Sequence, residues 1–281
     1  MLVDIVVLGS GSPLPDPQRA GPSTLVSSGA DHLLVDTGRG VLMRLAGAGL
    51  APGQLGAVLL THLHSDHTTD LDDVITTHWI MSFAPTTLHI IGPVGTRAHV
   101  EAVRAVLRTD VGFRRSHHAD LSWDPQIEVT EVADGDELTI GSLSIRVAAT
   151  DHRPVEPSVA YRITDATGSC AVVAGDTVPC PGLDVLCAGA GALVQTAIRT
   201  DLIATLPLQR LKDVCDYHSS IEDAAGTAAR AGVATLVLTH LLPAPQDETA
   251  EQALLALARE GGFDGEVVVA RDLVRVPVPT G

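Results

Sequence analysis

The chain has 281 residues, 45% of them hydrophobic but only 2% aromatic, and a formal net charge of −16 at neutral pH. That is enough Val, Leu, Ile and Ala for a sizeable core in a single α/β domain spanning residues 1–281, while the acidic surface argues against broad affinity for nucleic-acid phosphates, because Lys212 is the only lysine and the arginines are scattered. Four cysteines without CxxC spacing, no signal-peptide pattern and no apolar run of membrane-spanning length together predict a cytoplasmic protein with free thiols and no membrane partner.

Along the chain, short apolar runs predict strands at 3–8, 32–35, 57–61, 87–91, 127–132, 143–149, 159–163, 170–174, 192–196, 235–239 and 266–270. Helical spacing predicts helices at 40–46, 66–79, 96–108, 219–231 and 248–260. The fourth helix opens with a capping box from Ser219 to Glu222. The segments "GSGSPLPDPQRAGPS" and "LPAPQDET" read as loops. The first lacks a Walker lysine and a complete G-x-G-x-x-G, so it is expected to be a turn near the site rather than a phosphate loop. "AVLLTHL" at 57–63 recurs as "TLVLTHL" at 235–241, suggesting a duplicated plan with the site between the halves.

The stretch "THLHSDH" carries the chemistry. His62 and His64 are two residues apart at a strand end and project the same way. Asp66 and His67 then open a helix and can turn back over the same point. One metal centre can take His62 and His64 and another Asp66 and His67, and imidazole with carboxylate suits zinc, or manganese where carboxylates bridge. A lone histidine is more often a hydrogen-bonded structural residue, and His32, His78, His89 and His99 are read so. His117 and His118, beside Arg114 and Arg115, read as a solvated loop.

"THLHSDH" resembles the metal motif of the metallo-β-lactamase superfamily, and "PSVAYRI", "GDT", "DYHSS" and "LTH" are similar to the ribonuclease Z family of tRNA 3′-end endonucleases, in its short actinobacterial branch. The resemblance implies a four-layer αββα sandwich of class α/β (α+β), each half supplying one sheet. It also implies two zinc ions per chain, and a homodimer. Residue by residue, it makes Asp36 a support beneath the metal loop, His152 the ligand completing the first site, Asp176 the bridge and His240 the last ligand of the second site. Asp66 would serve as both ligand and base toward the attacking water, and His218 would protonate the leaving oxygen.

The chain departs from the family pattern in two places. Only 23 residues lie between His152 and Asp176, which leaves no room for the protruding arm with which many members grip tRNA. Gln195 and Thr196 stand where His-Glu is usual, so Asp216 is the candidate to orient His218 instead. A phosphodiesterase acting on phosphodiester bonds, RNA included, is the leading expectation. Hydrolysis of an arylsulfate, lactone or β-lactam, and a non-catalytic metal-binding scaffold, are the alternatives.

Overall fold

The computed structural model describes residues 2–279. Period-two patterning makes its strands bury both faces. In β3 (Asp31–Val35), Leu33 and Val35 face one layer and Leu34 the other. The first sheet also contains β1 (Asp4–Gly9), β2 (Ser23–Ser28), β4 (Ala57–Leu59), β5 (Thr87–Pro93) and β6 (Gln126–Val132). The second contains β7 (Glu137–Ile140), β8 (Leu143–Ala149), β9 (Val159–Thr164), β10 (Cys170–Val173), β11 (Ala192–Ile198), β12 (Thr235–Leu242) and β13 (Glu266–Val269). The last strand, β14 (Val274–Pro277), returns to the first sheet beside β1, so the sheets do not divide cleanly between the halves as expected from sequence.

The strand orders are β14-β1-β2-β3-β4-β5-β6 and β13-β12-β11-β10-β9-β8-β7. Pairing is antiparallel from β14 to β3 and parallel from β3 to β6. The second sheet repeats this plan: antiparallel from β7 to β10, parallel from β10 to β13. The duplication suggested by the sequence is therefore present in topology. The Thr-His echo does not follow it, because the counterpart of β4 in this scheme is β11, whereas the second Thr-His lies on β12.

Helices cover the outer faces: α1 (Val41–Gly47), α2 (Ser65–Thr68), α3 (Leu71–Ile80) and α4 (Thr96–His117) accompany the first sheet, and α5 (Pro181–Cys187), α6 (Thr200–Ile203), α7 (Gln209–Lys212), α8 (Ile221–Ala231) and α9 (Glu248–Glu260) are interspersed with the second. Three apolar clusters result. Val35, Leu59, Ile163 and Val194 fill the space between the sheets. Leu34 and Val58 meet Leu45 and Ile75 on one outer face, and Val172 and Leu193 meet Leu183 and Leu254 on the other. Burying each such side chain contributes roughly 1.5–3 kcal/mol relative to exposure. The layers run α, β, β, α.

Several boundaries differ from the sequence reading for local reasons. The expected helix over 66–79 breaks after α2, where the Asp70 carboxylate accepts the Gly40 N–H and the Asp70 N–H donates to Thr37 O. α4 continues through Arg114, His117 and the region read as loop, helped by the Asp110–Arg114 pair one turn apart. The capping box of α8 lies one residue on: Ser220 Oγ accepts Asp223 N–H at 3.0 Å and Asp223 returns the bond to Ser220 N–H at 3.1 Å. The four cysteines are free, and among the described residues no helix is long and apolar enough to cross a membrane.

Candidate metal centre

In both sheets the parallel strands end on the same edge, and the chemistry-bearing side chains follow those ends. Asp36 follows β3, His62 and His64 follow β4, and Asp66 and His67 sit on α2. His152 follows β8, Asp176 follows β10, Thr196 is on β11, His240 is on β12 and His218 precedes α8. Two contacts join the sheets here. Val159 N–H donates to Thr61 O at 2.9 Å, and the buried Tyr161 hydroxyl donates to Leu60 O at 2.6 Å. Gly175 supports the approach: its φ is +64°, and a Cβ there would lie 2.7 Å from Thr61 Cβ. The "GSGSPLP" loop is pinned by Asp272, which accepts from Ser10 and Ala20, and the Leu241 N–H, next to His240, points to Ser10 O.

The seven residues expected from the sequence to bind metal converge. His62, His64, His152 and Asp176 offer donor atoms within 4.8 Å of one another, as do Asp66, His67 and His240. His62 Nε2 and His152 Nε2 lie 3.1 and 3.3 Å from His64 Nδ1. His240 Nε2 and His67 Nε2 lie 3.2 and 3.6 Å from Asp66 Oδ2. A single oxygen, Asp176 Oδ2, faces both groups, at 3.8 and 3.9 Å from His62 and His152 and 3.3 and 3.5 Å from His67 and His240.

The outer partners fix the tautomers. Thr61 donates to both oxygens of Asp36, through its N–H and its hydroxyl, each at 2.8 Å. Its hydroxyl proton being so used, Thr61 Oγ1 accepts from His62 Nδ1 at 3.0 Å. His67 Nδ1 donates to Asp36 at 2.7 Å, and His152 Nδ1 to Tyr217 O at 2.9 Å. The Nε2 lone pairs of these rings therefore point inward. Nitrogen lone pairs about 3 Å apart repel unless a cation lies between them, and edges near 3.3 Å are what ligands about 2.0–2.1 Å from a zinc ion would span. His67 Nε2 is buried with no hydrogen-bond partner and lies among the converging donor atoms, as a ligand atom would. The donor set fits divalent metal.

Ionisation agrees with that fit. Burial, reinforced by His67, holds His62 well below the usual imidazole range, and burial brings His152 down to about 4, so both are neutral donors at physiological pH. Burial works against a charge on His67, yet Asp176 and Asp36 raise it well above its ordinary value; the position calls for positive charge, which a metal ion supplies. Burial likewise opposes the charge on Asp176, but His240, His67 and His218 keep its carboxyl well below the usual range. Two residues of the site, Asp36 and His240, have left-handed backbone, with φ of 60° and 55°.

His218 joins the cluster, with Nε2 at 3.2 Å from Asp176 Oδ2. Its Nδ1 donates to the Val214 carbonyl at 2.9 Å, so the backbone, and not Asp216, orients the ring. His32, His89 and His99 are no part of the centre, and neither is His78, buried in α3. A cavity of about 540 Å³ lies elsewhere, along α4 between Glu101 and Arg115, and holds none of the seven residues. Sequence reasoning did not single out Thr61 or Tyr161 as parts of the site, and noted Thr196 only as a departure from the family pattern; for Thr61 the available signal was its place immediately before a strand-end histidine.

Residues 32–241 match the family model of the β-lactamase superfamily domain. A solved metallo-β-lactamase fold protein of Bacillus subtilis superposes with a TM-score of 0.76 at 24% identity over 98% of each chain. Human tRNase Z, short form, superposes with a TM-score of 0.71 at 21% identity over 98% of this chain and 99% of that one. Fold and site thus define a metal-dependent hydrolase of the metallo-β-lactamase superfamily. A ribonuclease Z of Mycolicibacterium paratuberculosis is 54% identical over 279 residues, covering 99% of both chains, and that of Mycolicibacterium gilvum is 52% identical over 100% of this chain and 98% of its own. The chain belongs to the ribonuclease Z family.

Asp36 accepts from three donors under the metal loop, so Asp36→Ala leaves Thr61 and His67 unpartnered in a buried setting. The expected cost is on the order of 3 kcal/mol, read as a lower urea midpoint of the metal-free protein. An unchanged midpoint contradicts the supporting role.

Proposed function

We propose that the chain is a binuclear zinc phosphodiesterase that cleaves RNA, with the 3′ ends of precursor tRNA as its substrate. The observation that carries this reading is the convergence of inward-facing donors on one carboxylate oxygen, Asp176 Oδ2. In this assignment His62, His64 and His152 hold one ion, Asp66, His67 and His240 the other, and Asp176 is shared. The named relatives supply the substrate class. The short stretch between His152 and Asp176 is compatible with it, because the 54% identical ribonuclease Z aligns over 99% of its own length and has no room for a long insertion. Residues 1–281 are read as one domain.

When bound, the ions supply Lewis acidity toward the phosphoryl oxygens and a nucleophile at neutral pH. The chain's own residues do the rest. Asp66, whose carboxyl is held below the usual range against burial by its bond to His240, is an ionised acceptor for the proton of the attacking water. His218 has a fixed ring, because Nδ1 is tied to Val214 O, and its Nε2 faces the cleft. Burial opposes its charge, but Asp176 raises its pKa above the ordinary value, and Nε2 is the atom placed to give a proton to the departing ribose oxygen. A cytoplasmic homodimer belongs to the same proposal.

Three measurements test it. Elemental analysis is expected to find two divalent ions per chain, with Asp176→Ala losing at least one of them together with activity; full double occupancy in that variant refutes the bridge. His218→Ala is expected to slow cleavage of a precursor tRNA by a hundredfold or more, the usual worth of general acid assistance. The same variant should slow bis-p-nitrophenyl phosphate only modestly, since that leaving group departs without a proton. Equal losses, or loss of metal, would assign His218 to ligation or packing. Light scattering at micromolar concentration should give twice the chain mass, and a monomer would remove the dimer from the proposal.

A further inference from the structure

The residue at the end of β11, Thr196, has a hydroxyl whose bonding bears directly on the centre. β11 alternates: Ala192 and Val194 face the space between the sheets, while Leu193 and Ala197 face the helices. Thr196 therefore continues the inward row and arrives at the metal edge. It is 3% exposed, and its hydroxyl donates to Asp176 Oδ1 at 2.8 Å. The strand is held on both sides, by β10 and by β12, with Thr196 paired to Thr239, the residue before His240.

We propose that Thr196 is a positioning residue that locks the Asp176 carboxylate so that Oδ2 alone serves both ions. An aspartate side chain rotates easily about its last bond, because that torsion joins a tetrahedral to a planar carbon. Unrestrained, the group turns and offers Oδ1 to one ion and Oδ2 to the other, or chelates a single ion with both, and each choice changes the spacing of the two centres. The Thr196 hydroxyl has one proton, and it is committed to Oδ1. Oδ2 is left facing the nitrogens of five imidazoles, at 3.2 to 3.9 Å. The partner is part of a strand rather than a loop, so the lock is as stiff as the sheet. Thr196 stands where the family pattern usually has a glutamate that acts on the proton donor. Here that donor is already oriented by Val214 O, and the side chain at this place reaches the metal-bridging carboxylate instead.

This inference depends on Asp176 being the shared ligand, and the test separates the two. Metal-free protein is titrated with Zn²⁺ in competition with a chromophoric chelator, which reads affinity and stoichiometry without any substrate. Thr196→Val and Thr196→Ala should weaken at least one binding step tenfold to a hundredfold, the usual effect of removing an outer partner of a ligand. Thr196→Ser, which keeps the hydroxyl, should stay within a few-fold of the native protein. Two ions bound with native affinity by both hydroxyl-free variants would overturn the role, and so would a serine variant no better than alanine. If Asp176→Ala itself keeps both ions, the shared-ligand reading falls; if it loses one while Thr196→Val does not, only the role of Thr196 falls. A single cooperative thermal transition of each metal-free variant, with its midpoint well above the titration temperature, shows that weakened binding does not come from a failure to fold.

Discussion

A buried negative charge organises this molecule. Asp176 is 2% exposed and sits at the edge of two sheets that pack an apolar cluster between them. An isolated carboxylate in such a place costs far more than a domain's net stability, so the charge has to be compensated. The surroundings do this in three ways: imidazoles from both sheets, a hydroxyl from β11, and the capacity for divalent cations. Each sheet contributes something the other lacks. The first brings the His62–His67 loop on its Asp36 support, and the second brings Asp176, His152, His240 and His218. The main-chain bond between Val159 and Thr61 and the Tyr161 hydroxyl on Leu60 hold the two contributions in register. Removing the charge would leave mutually repelling nitrogen lone pairs, and removing the nitrogens would leave a bare carboxylate.

Much of this was legible in the residues because the chemistry is dense. A run such as His62, His64, Asp66 and His67 has few uses other than metal binding, and its location after an apolar strand put it at a sheet edge. His152, Asp176 and His240 are isolated in sequence and carried no such signal alone; it was the family likeness that picked them out, and the fold that brings them to one point. The layers followed from the alternation of strands with helices. What escaped notice was weakly patterned. β2 is rich in Ser, β7 alternates polar and apolar residues over only four positions, and β14 ends in proline. These strands are stabilised by their neighbours more than by their own composition. α4 outran its expected end because Asp110 and Arg114 pair along it, a contact that a hydrophobic pattern does not reveal.

The orientation of His218 shows a different limit. Asp216 is two residues away in sequence and bears the right charge, yet the Val214 carbonyl takes the Nδ1 proton. Backbone groups have no sequence signature, so their part in a site emerges only once the chain is folded. His152 makes the same point with Tyr217 O. Both rings are thus oriented by the main chain around residues 214–217, a segment fixed at its far end by Ser219, whose N–H and hydroxyl both donate to Thr177 O next to Asp176.

The left-handed backbone at Asp36 and His240 sets function against durability. A non-glycine residue in that region costs of order 1–3 kcal/mol, and both residues also carry side chains buried in the interior. Glycine at either place would relax the backbone and surrender the side chain. At these two positions a hardier fold and a working centre therefore ask for different residues, and the chain carries the ones that serve the centre.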